Sequence, residues 1–306
     1  MKHLKSSIAF WEAIAILMGG TIGAGIPAIP YGASRTGLVT AIIILVFVGI
    51  ITLTKKLMMA EIALRTAKTH QLPGYIGHYL GHFWKIVSTF VFLFAAICTI
   101  LAYLIGEGVV LAALFGGSPF YWSLGFFSVG AAVVFLGLSV IKRFEVLLTI
   151  GMLGAVLLIG FFSFDVISLD HFVHMMPTEW VTPYTILLFA FSGVATIPQM
   201  RQEMNGHEDK LKSAVITGSL IIGLVYLFFM VVVLGVTGLG TTEIATIGLG
   251  QKIGPMMLLL GNSLAALTMG TSFLTLSLAV QEMFAYDSHS VHLLGCEEKK
   301  YPSSRV

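Results

Sequence analysis

The chain has 306 residues, of which 57% are hydrophobic and 10% charged, with a formal net charge of +2 and a mean hydropathy of +0.95. Soluble domains carry roughly 25% charged residues, so this composition excludes a soluble globular protein and describes an integral membrane one. The basic residues are spread along connections and form no basic face, which implies no nucleic-acid partner.

A membrane-spanning helix needs about 20 mainly apolar residues. The stretches 7–30, 37–54, 84–114, 120–141, 144–164, 182–200, 213–239 and 254–280 meet that, giving about eight transmembrane helices. The basic start, Met1 to Lys5, ahead of an apolar run resembles a secretory leader. Glu12 interrupts that run, so it reads as the first span.

Within the first span, MGGTIGAGIPAIP (18–30) carries four glycines and two prolines. Gly costs a helix interior about 1 kcal/mol relative to Ala and Pro about 3, so this run predicts a broken helix. Unpaired backbone groups survive in a bilayer only where they are buried in protein or line a wet cavity.

Between the second and third spans, residues 61–81 are polar and aromatic, and a short interfacial helix is expected after Pro73-Gly74. His78 and His82 have i, i+4 spacing but no third ligand, so a solvated surface is the better reading than a metal site. His171 and His174 in a later loop read the same way. Turn chemistry is expected at Gly116-Gly117-Ser118-Pro119, at Lys142-Arg143 and at Asn205-Gly206.

The sixth span repeats the anomaly of the first. Gly193-Val194-x-x-Ile197-Pro198 aligns without a gap on Gly25-Ile26-x-x-Ile29-Pro30. The two copies lie five steps apart in the order of spans, an odd number, so they face opposite ways, which is the pattern of inverted-topology repeats with a substrate site at paired broken helices. With the N-terminus in the cytoplasm, every basic residue except Arg35 and Lys252 falls inside. That is the asymmetry of a multi-pass plasma-membrane protein with both termini cytoplasmic. Cys98, in a span, and Cys296, in the tail, fall at different depths, and a disulfide between them is not expected.

The segments FWEAIAILMGGTIGAGIPAIPYG, AEIALRT with HQLPGYIGHYLG, AYLIGEG, FAFSGVATIPQMRQEM and GTSFLTLSLAVQEMFAYD resemble the amino acid transporter family of the amino acid-polyamine-organocation superfamily, and within it the prokaryotic aromatic and hydroxy amino acid permeases. The resemblance runs from about Phe10 to Asp287. It implies an all-α membrane protein with a leucine-transporter-type inverted-repeat bundle whose helices 1 and 6 are broken. A single transporter domain over 1–284 is expected, with repeat one at 7–164, a partial repeat two at 182–284, and a polar cytoplasmic tail at 285–306. The family would continue into further spans after Asp287, so a truncated or frameshifted reading frame, or a degenerate paralogue, is the expectation here.

The function implied is secondary active transport of a neutral, aromatic or hydroxy, amino acid by alternating access, coupled to sodium or protons and without a cofactor. The alternative is a non-transporting scaffold. The oligomeric state is not legible. An enzyme would need a buried nucleophile and base, yet no His lies within any span.

The expected substrate-binding residues are Thr21, Gly23, Ala24, Gly25, Tyr103, Phe189, Ala190, Ser192 and Gly193. Free amides at Gly23, Ala24 and Gly25 suit a carboxylate, and carbonyls freed in the sixth span suit an ammonium. Close helix packing is the competing account of the glycines. Phe189 and Phe191 read equally as core aromatics, and Tyr103 as an interhelical hydrogen-bond donor. Thr271 and Ser272, with carbonyls near Gly20 and Gly23, match the family's sodium position. Among the carboxylates, Glu12, Glu61, Glu145, Asp165, Glu203 and Glu282 fall near expected interfaces, and Glu107, the deepest, is the candidate for proton coupling.

Overall fold

The computed structural model describes residues 2–136, 138–173 and 177–287. The expected tail with Cys296, and His174, lie outside them. The described chain is all-helical: α1 (Lys2–Thr21), α2 (Ile29–Thr36), α3 (Leu38–Arg65), α4 (Leu72–Leu80), α5 (His82–Phe115), α6 (Pro119–Phe135), α7 (Leu138–Ser163), α8 (Val181–Ala190), α9 (Ile197–Glu203), α10 (Leu211–Thr237), α11 (Ala245–Ile253) and α12 (Pro255–Asp287).

Six helical stretches are long and apolar enough to cross a membrane, and α1 with α2, bent by 57° at the break, makes a seventh. Each of the eight expected spans is helical, but one is short. Helix α6 has 17 residues, about 25 Å at 1.5 Å per residue, against a hydrocarbon core of about 30 Å. The expected turn at Lys142-Arg143 is instead helical, because α7 begins at Leu138. Lys and Arg are good helix formers, whereas Gly is a poor one, and the sequence places Gly137 just ahead of α7. The short helix expected after Pro73-Gly74 is α4, which starts at Leu72 with proline in its first turn. Helix α11 corresponds to no expected element.

The bundle is built around α1 and α10. Ile14, Leu17, Met18 and Ile22 of α1 and the residue after it bury against Ile222, Tyr226, Phe229 and Met230 of α10, with Val48 of α3 and Met152 and Ile159 of α7 in the same core. Tyr103, Met269 and Phe273 join α5 to α12 in a smaller cluster that Phe126 of α6 completes. The outer faces stay apolar. Ile43, Phe47 and Ile50 on α3, and Phe90, Phe94, Ile97, Leu101 and Ile105 on α5, are exposed at helical spacing. A contiguous apolar face of this kind fits lipid rather than water.

Candidate functional site

Both expected breaks are present, and each is followed by a 3-10 turn and a restarted helix at aligned positions. After α1 the chain leaves the helix at Ile22, makes a single 3-10 turn at Ile26–Ala28 and restarts as α2 at Ile29. After α8 it leaves at Phe191, makes a 3-10 turn at Val194–Thr196 and restarts as α9 at Ile197. Proline follows one residue into each restarted helix, where a missing amide costs nothing. The correspondence therefore holds for the 3-10 turns and the helix restarts, while the glycines ahead of them differ, Gly25 at φ −71°, ψ −33° and Gly193 at φ −179°, ψ 18°.

The breaks touch. A Cβ built on Gly25 would lie 2.8 Å from the Cα of Ala190, and one on Gly193 would overlap the hydroxyl of Thr21. Each glycine thus lets the other break approach. The hydroxyl of Tyr226, from α10, ties them together, donating toward the carbonyl oxygens of Ala190 (2.7 Å) and Thr21 (3.1 Å). The freed carbonyl of Ala190, expected to face a ligand's ammonium, is occupied in this way. The amide of Gly23 also turns back, to the carbonyl of Thr21 at 3.1 Å. The amides of Ala24 and Gly25 have no backbone acceptor among the described residues.

A cavity of about 260 Å³ lies against both breaks. Of the expected substrate residues, Thr21, Gly23, Gly25, Tyr103, Phe189, Ala190, Ser192 and Gly193 line it, and Ala24 does not. Ala24 packs against the smaller apolar cluster. Phe189 is half-exposed in the wall, whereas Phe191 is a core aromatic, its ring set edge-on to Tyr226 at 5.0 Å. Tyr103 lines the cavity, and its hydroxyl and that of Ser272 from α12 converge beside Gly23. The remaining lining comes from Gly20, the turn at Val194–Thr196, α5 (Phe92, Ala95, Ala96, Thr99), α12 (Ser272, Thr275, Leu276, Ala279) and Leu72 at the start of α4. No residue of the lining carries a formal charge.

The residues proposed for a cation separate. Gly20, Gly23 and Ser272 line the cavity, and the Ser272 hydroxyl donates to the Gly19 carbonyl at 2.9 Å. Thr271 lies outside the lining, its hydroxyl bonded back to the carbonyl of Thr268 at 2.9 Å within α12. Gly20 serves packing, since a Cβ there would overlap Thr196. Glu107 is buried on α5 away from the cavity, and its Oε2 has no hydrogen-bond partner among the described residues.

Two carboxylates expected near interfaces are buried instead. Glu145 accepts a hydrogen bond from the hydroxyl of Thr275, a cavity residue, while its Oε2 and the nearby Thr149 hydroxyl have no partner among the described residues. Glu282 accepts from Gln71 Nε2 (2.5 Å) and Gln202 Nε2 (3.1 Å). The cause of both differences is helix length. Helix α7 starts two turns before Glu145 and α12 continues past Glu282, so both sit among packed helices rather than at their ends. Lys56, expected in a cytoplasmic connection, is likewise buried, at 1% exposure, inside α3. Glu61, by contrast, pairs with Arg65 and Lys212 where solvent reaches.

The model of the tryptophan/tyrosine permease family matches residues 6–291. The chain belongs to that family. A curated relative, glutamine transporter 2 of Aliivibrio fischeri (strain ATCC 700601 / ES114), is 24% identical over 229 residues, which is 72% of this chain and 59% of the relative. This permease-family chain therefore aligns with less than two thirds of that relative's length. The family places the described cavity in a protein class that handles amino acids, and accounts for the apolar helices as membrane spans.

Proposed function

We propose that this chain forms the substrate-binding core of a secondary permease for a neutral amino acid, held in the cavity between the two helix breaks and released to either side by alternating access. The observation that carries the reading is the meeting of two glycine breaks at one uncharged cavity of about 260 Å³. The amide of Gly25, ahead of the restarted helix, suits the substrate carboxylate. Thr21, Ser192 and the Tyr103 hydroxyl supply further polar contacts. Phe92, Tyr103 and Phe189 offer ring surfaces to an aromatic side chain, and the uncharged wall disfavours acidic and basic ones.

Coupling falls to a proton or to sodium. Glu145 and Glu107 are the buried carboxylates suited to a proton. The hard oxygen ligands beside Ser272 and the Gly19 carbonyl suit sodium. The two repeats, 7–164 and 182–284, are proposed to face opposite ways in a plasma membrane, with the N-terminus cytoplasmic. The test is counterflow in proteoliposomes, using tryptophan, tyrosine, serine and glutamine as separate substrates. Saturable exchange of at least one supports the reading, and exchange of none, with intact protein in the membrane, contradicts it. A second reading, a non-transporting membrane scaffold, draws support from the half-exposed Phe189, which leaves one flank of the cavity open.

A further inference from the structure

Lys56 is among the most deeply buried large side chains of the chain, and its Nζ has no hydrogen-bond partner among the described residues. Its neighbour Lys55 is exposed. The side chain of Lys56 runs inward to the second break: a Cβ on Gly193 would stand 3.5 Å from Lys56 Cε. The same position would overlap the Thr21 hydroxyl, which is also buried and without a partner among the described residues. Lys56 thus ends behind the wall formed by Gly193 and Thr21, both of which line the cavity. That wall carries no charge of its own.

Among the described residues, no element packed against α3 gives the Lys56 Nζ a hydrogen-bonded partner. Those elements are α2, α8, the turn at Val194–Thr196, α9 and α10. Their charged or titratable side chains are Tyr31 and Arg35, Tyr184, Arg201 and Glu203, and Lys212 and Tyr226. Arg35 bonds Tyr31, Arg201 bonds Tyr75, Lys212 pairs with Glu61 on α3 itself, Glu203 has an interaction of its own and its charge acts on Glu145, and Tyr226 bonds the two break carbonyls. The like charge of Lys55 is the one that reaches Lys56. A cation enclosed without an anion is costly, and an amino acid in the cavity brings a carboxylate to within one residue layer of it.

Resting on the proposed function, we infer that Lys56 is the countercharge that selects for a carboxylate in the cavity, acting on it across Gly193 and Thr21. It is a positioning residue with an electrostatic role, which separates it from a lysine retained for packing. Lys56→Met removes the charge and keeps most of the apolar stem. Lys56→Arg keeps a charge that does not titrate.

The experiment compares equilibrium binding of tryptophan and of tryptamine, which lacks the carboxylate, to the purified full chain and both variants. Lys56→Met is expected to weaken tryptophan binding by roughly tenfold or more and to leave tryptamine binding unchanged or stronger. In alkaline solution wild-type tryptophan binding is expected to fall more steeply with pH than that of Lys56→Arg, because only the lysine can lose its proton. Parallel loss of both ligands in the Met variant, or the same alkaline profile in wild type and Arg variant, overturns the inference. If the Met variant does not fold, the Arg profile decides alone. A wild type that binds neither ligand overturns the proposed function first, and this inference with it.

Discussion

Tyr226→Phe tests the junction of the two breaks with the smallest available change. The ring is fully buried and packs edge-on against Phe191, and both features survive the substitution. What is lost is one hydroxyl. The Thr21 carbonyl keeps the Gly23 amide as a donor, but no backbone amide takes the Ala190 carbonyl among the described residues. The variant therefore leaves one buried acceptor unsatisfied, which costs about 1–3 kcal/mol. Because that acceptor sits in the cavity wall, its loosening should also weaken ligand binding. Thermal unfolding in detergent and equilibrium binding of tryptophan, followed on the same preparation, measure the two effects. A melting temperature several degrees lower with weaker binding is expected. Unchanged stability, within the roughly 0.5 kcal/mol typical of neutral substitutions, would refute the claim that this hydroxyl holds the breaks together.

Gly25→Ala places a methyl against the Ala190 backbone and is expected to lose about 1–3 kcal/mol by overpacking. Gly154→Ala, which meets nothing within 4 Å, should instead gain up to about 1 kcal/mol, and paired melting curves compare the two. Under proton coupling through Glu145, Glu145→Gln should abolish the response of uptake to an imposed pH gradient while sparing counterflow. A response lost in Glu107→Gln alone assigns the proton to Glu107. Ser272→Ala should raise the sodium concentration needed for half-maximal uptake if sodium is the coupling ion, and titration of uptake against sodium reads this directly.

The two breaks were legible because glycine and proline punctuate an apolar run and do so twice in one register, a signal that depends on backbone chemistry alone. The part of the cavity lining that the breaks themselves supply followed from it. Tyr226 gave no such signal, since a tyrosine in an apolar span is ordinary and its role depends on which carbonyls it meets. Lys56, Glu145 and Glu282 were misplaced for one shared reason. Their positions near expected span ends suggested an aqueous edge, whereas α3, α7 and α12 run on as packed helices beyond those ends. The α6–α7 boundary was misread because Lys142-Arg143 looked like a connection, though both residues favour helix. Of the two hydroxyls matched to the sodium position, Ser272 lines the cavity, and Thr271, about 100° round the helix, bonds back within α12.

The central claim, that the space between the breaks receives the substrate, is tested most directly at Ser192. With Cys98 and Cys296 replaced by serine, Ser192→Cys places one thiol in the cavity wall, and the rate of its alkylation is measured with and without amino acid. Saturating tryptophan, or whichever amino acid the counterflow assay selects, is predicted to slow the reaction in a concentration-dependent way. A rate indifferent to every amino acid that the protein transports would contradict the account.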